Sequence, residues 1–146
     1  MNQAEILRRR VLFLCTHNSA RSQMAEGLLR QLSGGQVDSV SAGTIATRVR
    51  PEAIRVMREL NIDISNQRSK ALDEFVMQRF DYVITVCDSA NESCPIFPNA
   101  DHRLHWSIDD PGSVTGDEVQ RLAAFRHARD ELRQRIESGL LPTLKS

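Results

Sequence analysis

The feature that most constrains this chain is a cysteine placed between a short apolar run and a helical pattern. The apolar run is Val11-Leu12-Phe13-Leu14, and Cys15 follows it directly. Arg21 and Ser22 stand beyond a five-residue spacer, where apolar residues begin to recur at three- and four-residue steps. The spacing predicts a strand, a short loop and a helix, and the start of such a helix favours an anion through its positive dipole end.

The loop between Cys15 and Arg21 is expected to bind a tetrahedral oxyanion and to present the thiol to it. Backbone N–H groups of such a loop converge on one point, and the planar guanidinium of Arg21 holds two anion oxygens at once. The same positive field favours the thiolate, which is the reactive form of cysteine. The predicted oxyanion-binding residues are Thr16, His17, Asn18, Ser19, Ala20 and Arg21.

The alternative for Cys15 is a small buried apolar residue at the end of a strand, which is the usual environment of free cysteines. The positions of Arg21 and Ser22 argue against that alternative. Asn18 suits the loop because asparagine tolerates the left-handed backbone conformation better than most residues. His17 either favours the thiolate by its charge or is a solvent-exposed loop residue, and the sequence leaves its role open.

The order of the predicted elements indicates an α/β fold. Strands are predicted over residues 11–15, 37–42, 81–87 and 103–106, and helices over 22–33, from Pro51, over 70–78 with Ser69 as N-cap, and from a capping box at 115–118. This alternation implies a single-domain, three-layer α/β/α fold with a four-stranded, mostly parallel sheet. In such sheets ligands bind beyond the carboxyl ends of the strands, where Cys15 and Cys87 both fall.

Two further cysteines are associated with the third predicted strand. Cys87 ends that strand, and Cys94 follows seven positions later. If the strands of Cys15 and Cys87 are neighbours, they lie about 4.8 Å apart, which brings the two sulfurs within reach of each other. A helical segment over 88–94 would separate Cys87 from Cys94 by about 10.5 Å, more than the roughly 7 Å that a disulfide allows. Their pairing would therefore require a redox-dependent rearrangement of this segment.

Two alternatives to a redox role stay open for these cysteines. Cys87 also suits a core position, with Cys94 as an uninvolved thiol. A metal site would combine Cys94 with His102 and His105, but their spacing matches no tight zinc pattern, and no metal ligand is predicted.

Two acidic residues, Asp109 and Asp110, lie after the fourth predicted strand and ahead of Pro111, on the expected ligand edge. A carboxylic acid opposite the nucleophile assists a reaction that expels an oxygen leaving group. Because two adjacent aspartates cannot both face the site, we expect one of them to act as a turn or cap residue. A turn role for both is the alternative.

Composition limits the class of protein. The chain has 146 residues, which is enough for one domain with a substantial core. Its 19 basic and 19 acidic residues balance, which argues against a nucleic-acid or membrane partner. The odd number of cysteines and the lack of a long apolar segment at the amino terminus predict a cytoplasmic protein. We expect residues 1–10 to form a flexible tail and residues 11–146 to form the catalytic domain.

Several segments accompany the thiol loop in a fixed order: Cys15 to Gly27, Ser41-Ala42-Gly43, Ile62 to Ser65, Cys87 with Cys94-Pro95, and His105-Trp106 leading to Asp109-Asp110-Pro111. In this order they resemble the thioredoxin-coupled arsenate reductases, which are built on the low-molecular-weight tyrosine phosphatase fold. The resemblance runs from Val11 to about Ile136. The loop marks the superfamily, and the two later cysteines mark the reductase branch.

The resemblance implies an arsenate reductase that uses no cofactor. Cys15 attacks arsenic, Arg21 and the loop amides hold the oxyanion, Ser22 steadies the thiolate, and Asp110 protonates the departing oxygen. A later thiol relay then releases arsenite.

In that implied relay Cys87 attacks the Cys15 sulfur, arsenite leaves, and a Cys15–Cys87 disulfide forms. Cys94 then attacks Cys87 and frees Cys15. Thioredoxin reduces the resulting Cys87–Cys94 disulfide, as expected for thiol–disulfide exchange.

One departure from the family concerns potassium. Some relatives bind this cation near the loop through an asparagine, a glutamate, a serine and an aspartate. Asn18, Glu26 and Ser41 match the first three, but Lys70 stands at the aspartate position. An ammonium there would replace the cation, so the sequence predicts no potassium dependence.

Two other functions compete with the reductase. A low-molecular-weight phosphatase would use Cys15, Arg21 and Asp110 through a phosphocysteine intermediate. Gly112 and Ser113, however, follow the Asp-Pro pair where such phosphatases carry aromatic residues, and the later cysteines would have no role. A protein that sequesters arsenite through three thiols would leave the arginine and the aspartate without a role. The electron donor stays open between thioredoxin, glutaredoxin with glutathione, and mycothiol.

Overall fold

The computed structural model describes residues 8–88 and 92–144, which build one four-stranded sheet covered on both faces. The strands are β1 (Arg10–Cys15), β2 (Asp38–Gly43), β3 (Phe80–Thr85) and β4 (Ala100–His105). They pair in parallel in the order β2-β1-β3-β4. The predicted α/β fold is confirmed.

The helices cover mainly one face of the sheet. They are α1 (Arg21–Leu32), α2 (Pro51–Arg58), α3 (Glu118–Arg135) and α4 (Leu141–Leu144), with 3-10 turns at Leu72–Phe75 and Pro111–Ser113 and a π-helical turn at Ile136–Leu140. Among the described residues, no helix combines the length and the apolarity that crossing a membrane requires.

Side-chain alternation along β1 divides the core in two. Val11 and Phe13 pack with α1, α2 and α3, whereas Leu12 and Leu14 pack with Phe80 on the opposite face. This alternation is the two-residue period of a strand buried on both faces. The opposite face is covered by the short turn Leu72–Phe75 and its neighbours, so the third layer of the fold is thin.

The pairing of β1 with β3 brings the first two thiols to one edge of the sheet. The pairing continues past the strand ends, because Val86 N donates to Leu14 O at 2.8 Å. Cys15 ends β1, and Cys87 follows β3 by two residues. The predicted neighbourhood of the two strands is thus confirmed, although β3 ends earlier than the predicted 81–87.

The helix predicted over residues 70–78 is wrong. Ala71 forms an isolated parallel bridge with Gly43, and Gly43 N donates to Lys70 O at 2.9 Å, so this backbone is extended. Ser69 caps no helix; its Oγ donates to His17 O and accepts from Thr47 N. Only the single 3-10 turn at Leu72–Phe75 forms, because tertiary hydrogen bonds outweigh the local helical pattern.

Two other local predictions shift by a few residues. The capping box of α3 joins Asp117 to Gln120, two residues beyond the predicted start at Thr115. The fourth strand is β4 (Ala100–His105) rather than 103–106. In both places several neighbouring residues have suitable side chains, and packing selects among them.

Arg10, which the sequence assigned to a flexible tail, is instead the first residue of β1. Its guanidinium donates to Asp38 and Gln78 and lies 4.3 Å from the centre of the Phe80 ring. Residues 1–7, the rest of the predicted tail, lie outside the described residues.

Candidate active site

The loop of residues 16–20 connects the buried strand β1 to helix α1, as predicted. Asn18 has a φ of 51°, the left-handed conformation that the sequence predicts for it. Among the described residues, no side chain caps α1 at Ala20, and the first turn of α1 contains no acidic residue. The N–H groups and positive dipole at this helix start therefore suit a bound oxyanion.

The loop carbonyls are engaged by surrounding segments, which orients the loop amides. The carbonyls of residues 16–19 accept hydrogen bonds, in order, from Ile45 N, Thr47 Oγ1, Gln23 Nε2 and Arg50 N. The N–H of a trans peptide points away from its own carbonyl. The next four amides along the loop are thus turned away from those segments, which is the orientation that an anion cradle requires.

Cys15 is buried, and its sulfur lies 2.7 Å from Ser22 Oγ. Ser22 Oγ accepts a hydrogen bond from Asn18 Nδ2 at 2.9 Å, which leaves the hydroxyl proton to be donated to the sulfur. A donor held beside the sulfur stabilises its negative charge. The structure therefore brings Ser22 to the thiol, where the family resemblance expects it.

A buried network fixes Asn18 from four directions. Its Nδ2 donates to Ser22 and to Ser41 Oγ, and its Oδ1 accepts from Gln23 Nε2 and Lys70 N, both at 2.7 Å. Gln23 is not among the predicted site residues, because a glutamine on a helix carries no distinctive signal. With every polar side-chain atom of Asn18 paired, this side chain holds the loop rigidly beside the thiol.

Gly43, at the end of β2, allows this loop to approach the sheet. A Cβ atom there would lie 2.7 Å from Asn18 N and 2.8 Å from Thr16 O, both of them backbone atoms of the loop. These contacts are too short for any side chain, which explains why glycine closes the Ser41-Ala42-Gly43 segment.

Arg21 is 4% exposed and reaches across the loop to the segment that follows β4. Its Nη1 donates to Ile108 O at 3.0 Å, and its Nη2 lies 3.9 Å from Asp110 Oδ2. Burial opposes the charge of Arg21, but hydrogen bonding with Glu92 and the nearby Cys15 and Asp110 outweigh burial, and the pKa of Arg21 is raised. The guanidinium is thus a permanent cation at the centre of the site.

Asp110 combines the two roles that the sequence analysis divided between neighbouring aspartates. Its Oδ1 accepts from Gly112 N at 2.9 Å and caps the turn Pro111–Ser113, while Oδ2 faces Arg21. Asp109 is exposed. The carboxyl group of Asp110 is consequently fixed in orientation, with one oxygen toward the Arg21 guanidinium.

Cys87 and Cys94 form a disulfide, with their Cα atoms 6.0 Å apart, while Cys15 is a free thiol. The expected rearrangement of residues 88–94 concerns a segment of which 89–91 lie outside the described residues. Glu92 is described, and its carboxylate accepts hydrogen bonds from both Nη atoms of Arg21. Glu92 is not among the predicted site residues, since a single acidic residue between two cysteines predicts no contact.

The candidate metal ligands have other partners. The Cys94 sulfur is bonded to Cys87, the His102 ring stacks on Tyr82, and His105 Nδ1 lies 2.6 Å from Thr85 Oγ1. Over residues 8–88 and 92–144, no group of three or more His, Cys, Asp or Glu side chains is arranged to hold a metal ion.

Lys70 lies beside Glu26, one of the residues that match the potassium ligands named above. Its Nζ lies 3.5 Å from Glu26 Oε1 and donates to Arg68 O at 2.7 Å, and it is buried. Burial lowers the pKa of Lys70, and the attraction of Glu26 opposes that shift. Ser41 Oγ donates to the same carboxylate at 2.6 Å. The hydrogen-bonded series that runs from Asn18 through Ser41 to Glu26 therefore ends at the Lys70 amine.

We expect turnover to be equal in potassium and sodium chloride at fixed ionic strength, because the Lys70 amine already lies beside the Glu26 carboxylate. The Lys70→Asp variant is expected to become potassium-dependent, since it restores an acidic ligand beside Glu26. Steady-state rates of both proteins in the two salts measure this. Wild-type activity that rises several-fold with potassium would contradict the prediction.

Comparison with known proteins agrees with this geometry. Residues 10–146 match the family model of the low molecular weight phosphotyrosine protein phosphatases. The chain is 43% identical over 128 residues to an arsenate reductase from Halalkalibacterium halodurans, covering 88% of this chain and 92% of the relative.

Two solved structures extend the comparison. An arsenate reductase in a phosphate-binding state superposes with a TM-score of 0.77 at 34% identity, covering 92% of this chain and 98% of the other. A thioredoxin-dependent arsenate reductase from Corynebacterium glutamicum superposes with a TM-score of 0.64 at 30% identity, covering 90% of this chain and 61% of that longer one.

Proposed function

The chain belongs to the low molecular weight phosphotyrosine protein phosphatase family, in which it is an arsenate reductase, and from this premise we propose how its own residues reduce arsenate. Cys15 is the nucleophile, Cys87 and Cys94 complete a thiol–disulfide relay, and thioredoxin restores the dithiol. The observation that carries the proposal is the disulfide between Cys87 and Cys94 beside the Arg21 pocket. Hydrolysis of a phosphate ester requires no such pair of cysteines.

In the first step the Cys15 thiolate attacks arsenic, and one arsenate oxygen leaves as water. Arg21 and the loop amides hold the remaining oxygens, as fixed donors do for developing negative charge. Asp110 supplies the proton to the departing oxygen, which its position 3.9 Å from Arg21 supports. The product is a Cys15 sulfur–arsenic bond, and arsenic is still in its oxidised state.

In the second step the Cys87 thiolate attacks the Cys15 sulfur. The sulfur–arsenic bond breaks, its electron pair stays on arsenic, and arsenite leaves. A Cys15–Cys87 disulfide forms, so two thiols have supplied the two electrons. The adjacency of β1 and β3 supports this step, because it places both cysteines at the same sheet edge.

In the third step Cys94 attacks the Cys87 sulfur, which frees Cys15 and gives the Cys87–Cys94 disulfide present in the structure. Thioredoxin then reduces that disulfide by exchange through its own dithiol. The partly exposed Cys94 and the thioredoxin dependence of the Corynebacterium glutamicum relative support this choice of reductant.

The test is arsenate-dependent NADPH consumption with thioredoxin and thioredoxin reductase, compared with glutaredoxin, glutathione and glutathione reductase. We expect sustained turnover only with the thioredoxin system, because an internal disulfide is the product to be reduced. Phosphate in place of arsenate serves as the control and should consume no NADPH. Equal turnover with glutathione would contradict the assigned partner, and a lack of arsenite would contradict the reductase.

A further inference from the structure

The Glu92 carboxylate is bound by the residues that are expected to hold the substrate. Arg21 Nη1 donates to Oε1 at 2.5 Å and Nη2 to Oε2 at 2.8 Å, which is a two-pronged contact. Thr16 Oγ1 also donates to Oε2 at 2.8 Å, and Asp88 N donates to Oε1 at 2.9 Å. Each carboxylate oxygen therefore has two donors.

This contact differs from an ordinary surface ion pair. The side chain of Arg21 is 4% exposed and that of Glu92 16% exposed, and the two residues are 71 positions apart. Surface pairs contribute little because water competes for both charges, whereas here water is largely excluded. Hydrogen bonding to Arg21 lowers the pKa of Glu92 to about 2, so the group is an anion at neutral pH.

A carboxylate and a tetrahedral oxyanion both suit the Nη1–Nη2 edge of the Arg21 guanidinium, where Glu92 is bound. Both present two oxygens to the fork of Arg21. Arg21 Nη1 also donates a hydrogen bond to Ile108 O. Two anions on one edge would also repel each other, so binding of Glu92 and binding of arsenate exclude one another.

The position of Glu92 is tied to the disulfide. Glu92 lies between Cys87 and Cys94, whose bond holds their Cα atoms 6.0 Å apart. Within that covalent ring, Glu92 N donates to Asp88 O at 2.8 Å. The carboxylate thus reaches Arg21 from a segment whose two ends are joined by the disulfide.

We propose that Glu92 is an internal ligand of the oxyanion pocket in the disulfide form, where it excludes oxyanions until Cys87 and Cys94 are reduced. This inference rests on the proposed function. Its consequence is the order of events: if arsenate could react with Cys15 while Cys87 is oxidised, an adduct would form that no thiolate could release.

The experiment measures the Kd of inorganic phosphate by calorimetry for oxidised and reduced protein at fixed ionic strength. Phosphate is chosen because the thiols do not reduce it. Oxidised Glu92→Gln is expected to bind phosphate at least about tenfold more tightly than oxidised wild type, because a pocket filled by its own ligand shows a weakened apparent affinity. The reduced proteins should agree within about threefold.

Two variants control for charge and folding. Glu137→Gln removes one exposed carboxylate at a position remote in sequence. Its Kd for phosphate should match that of wild type in both redox states. Glu92→Asp keeps the charge on a shorter side chain and should give an intermediate Kd in the oxidised form.

Three results would overturn the inference. Equal phosphate affinity of oxidised wild type and oxidised Glu92→Gln would do so alone, as would equal affinity of oxidised and reduced wild type. Failure of reduced wild type to bind phosphate would overturn the oxyanion pocket of the proposed function, and the inference with it.

Discussion

Replacing Cys87 with serine is expected to abolish sustained arsenate reduction, with a loss of at least about a thousandfold in the thioredoxin-coupled rate, or about 4 kcal/mol in the barrier. A serine hydroxyl cannot attack the Cys15 sulfur to form a disulfide, so the adduct with arsenic would persist. The pocket should survive, because serine is nearly the size of the fully buried cysteine and lies outside the loop. Arsenate-dependent NADPH consumption measures the loss.

The same variant separates the reductase from the phosphatase. Hydrolysis of a small aryl phosphate needs only the thiol, Arg21 and Asp110, so any such activity should persist in Cys87→Ser. Cys94→Ser is the matched control: it should complete one turnover and stop with a Cys15–Cys87 disulfide, detectable by mass spectrometry of the digested protein. Unchanged arsenate turnover in Cys87→Ser would refute the relay.

The second large effect is expected from Arg21→Lys, which should lower kcat/KM for arsenate about a hundredfold, or about 2.7 kcal/mol. Lysine keeps the charge but offers a point donor in place of a fork. It also cannot hold two substrate oxygens while donating to Ile108 O, as Arg21 is placed to do. Steady-state kinetics with saturating thioredoxin measure this loss.

Arg55→Lys provides the matched control for Arg21→Lys. Arg55 forms an exposed ion pair with Glu118 and is not among the contacts of the Cys15 loop described above, so this change should leave kcat/KM within about twofold. The phosphate Kd of reduced Arg21→Lys should weaken together with kcat/KM. A value of kcat/KM near wild type in Arg21→Lys would show that the fork contributes nothing to the reaction.

The strand, loop and helix around Cys15 could be predicted because their signals are local. An apolar run, a five-residue spacer and a helical repeat each depend on neighbours in sequence, and the left-handed Asn18 follows from its own side chain. The same holds for α2, which begins at Pro51 as predicted.

Local signals failed where tertiary partners compete for the same backbone. Ser69 and Lys70 have the pattern of a helix start, yet Ser69 binds the loop carbonyl of His17 and Lys70 O accepts from Gly43 N. These contacts require β2 and the loop to be in place already. Periodicity alone therefore could not exclude the helix over 70–78.

Local patterns in the sequence placed a thiol between a buried strand and a helix start, and they marked an arginine and two further cysteines as its predicted partners. The tertiary structure alone decided which groups meet there: the Ser22 and Asn18 network on the thiol, Asp110 beside Arg21, and the Glu92 carboxylate on the guanidinium. The reason is distance along the chain. Helix and strand patterns follow from adjacent residues, whereas Arg21 and Glu92 are 71 residues apart and meet only in the folded chain, where β1 pairs with β3.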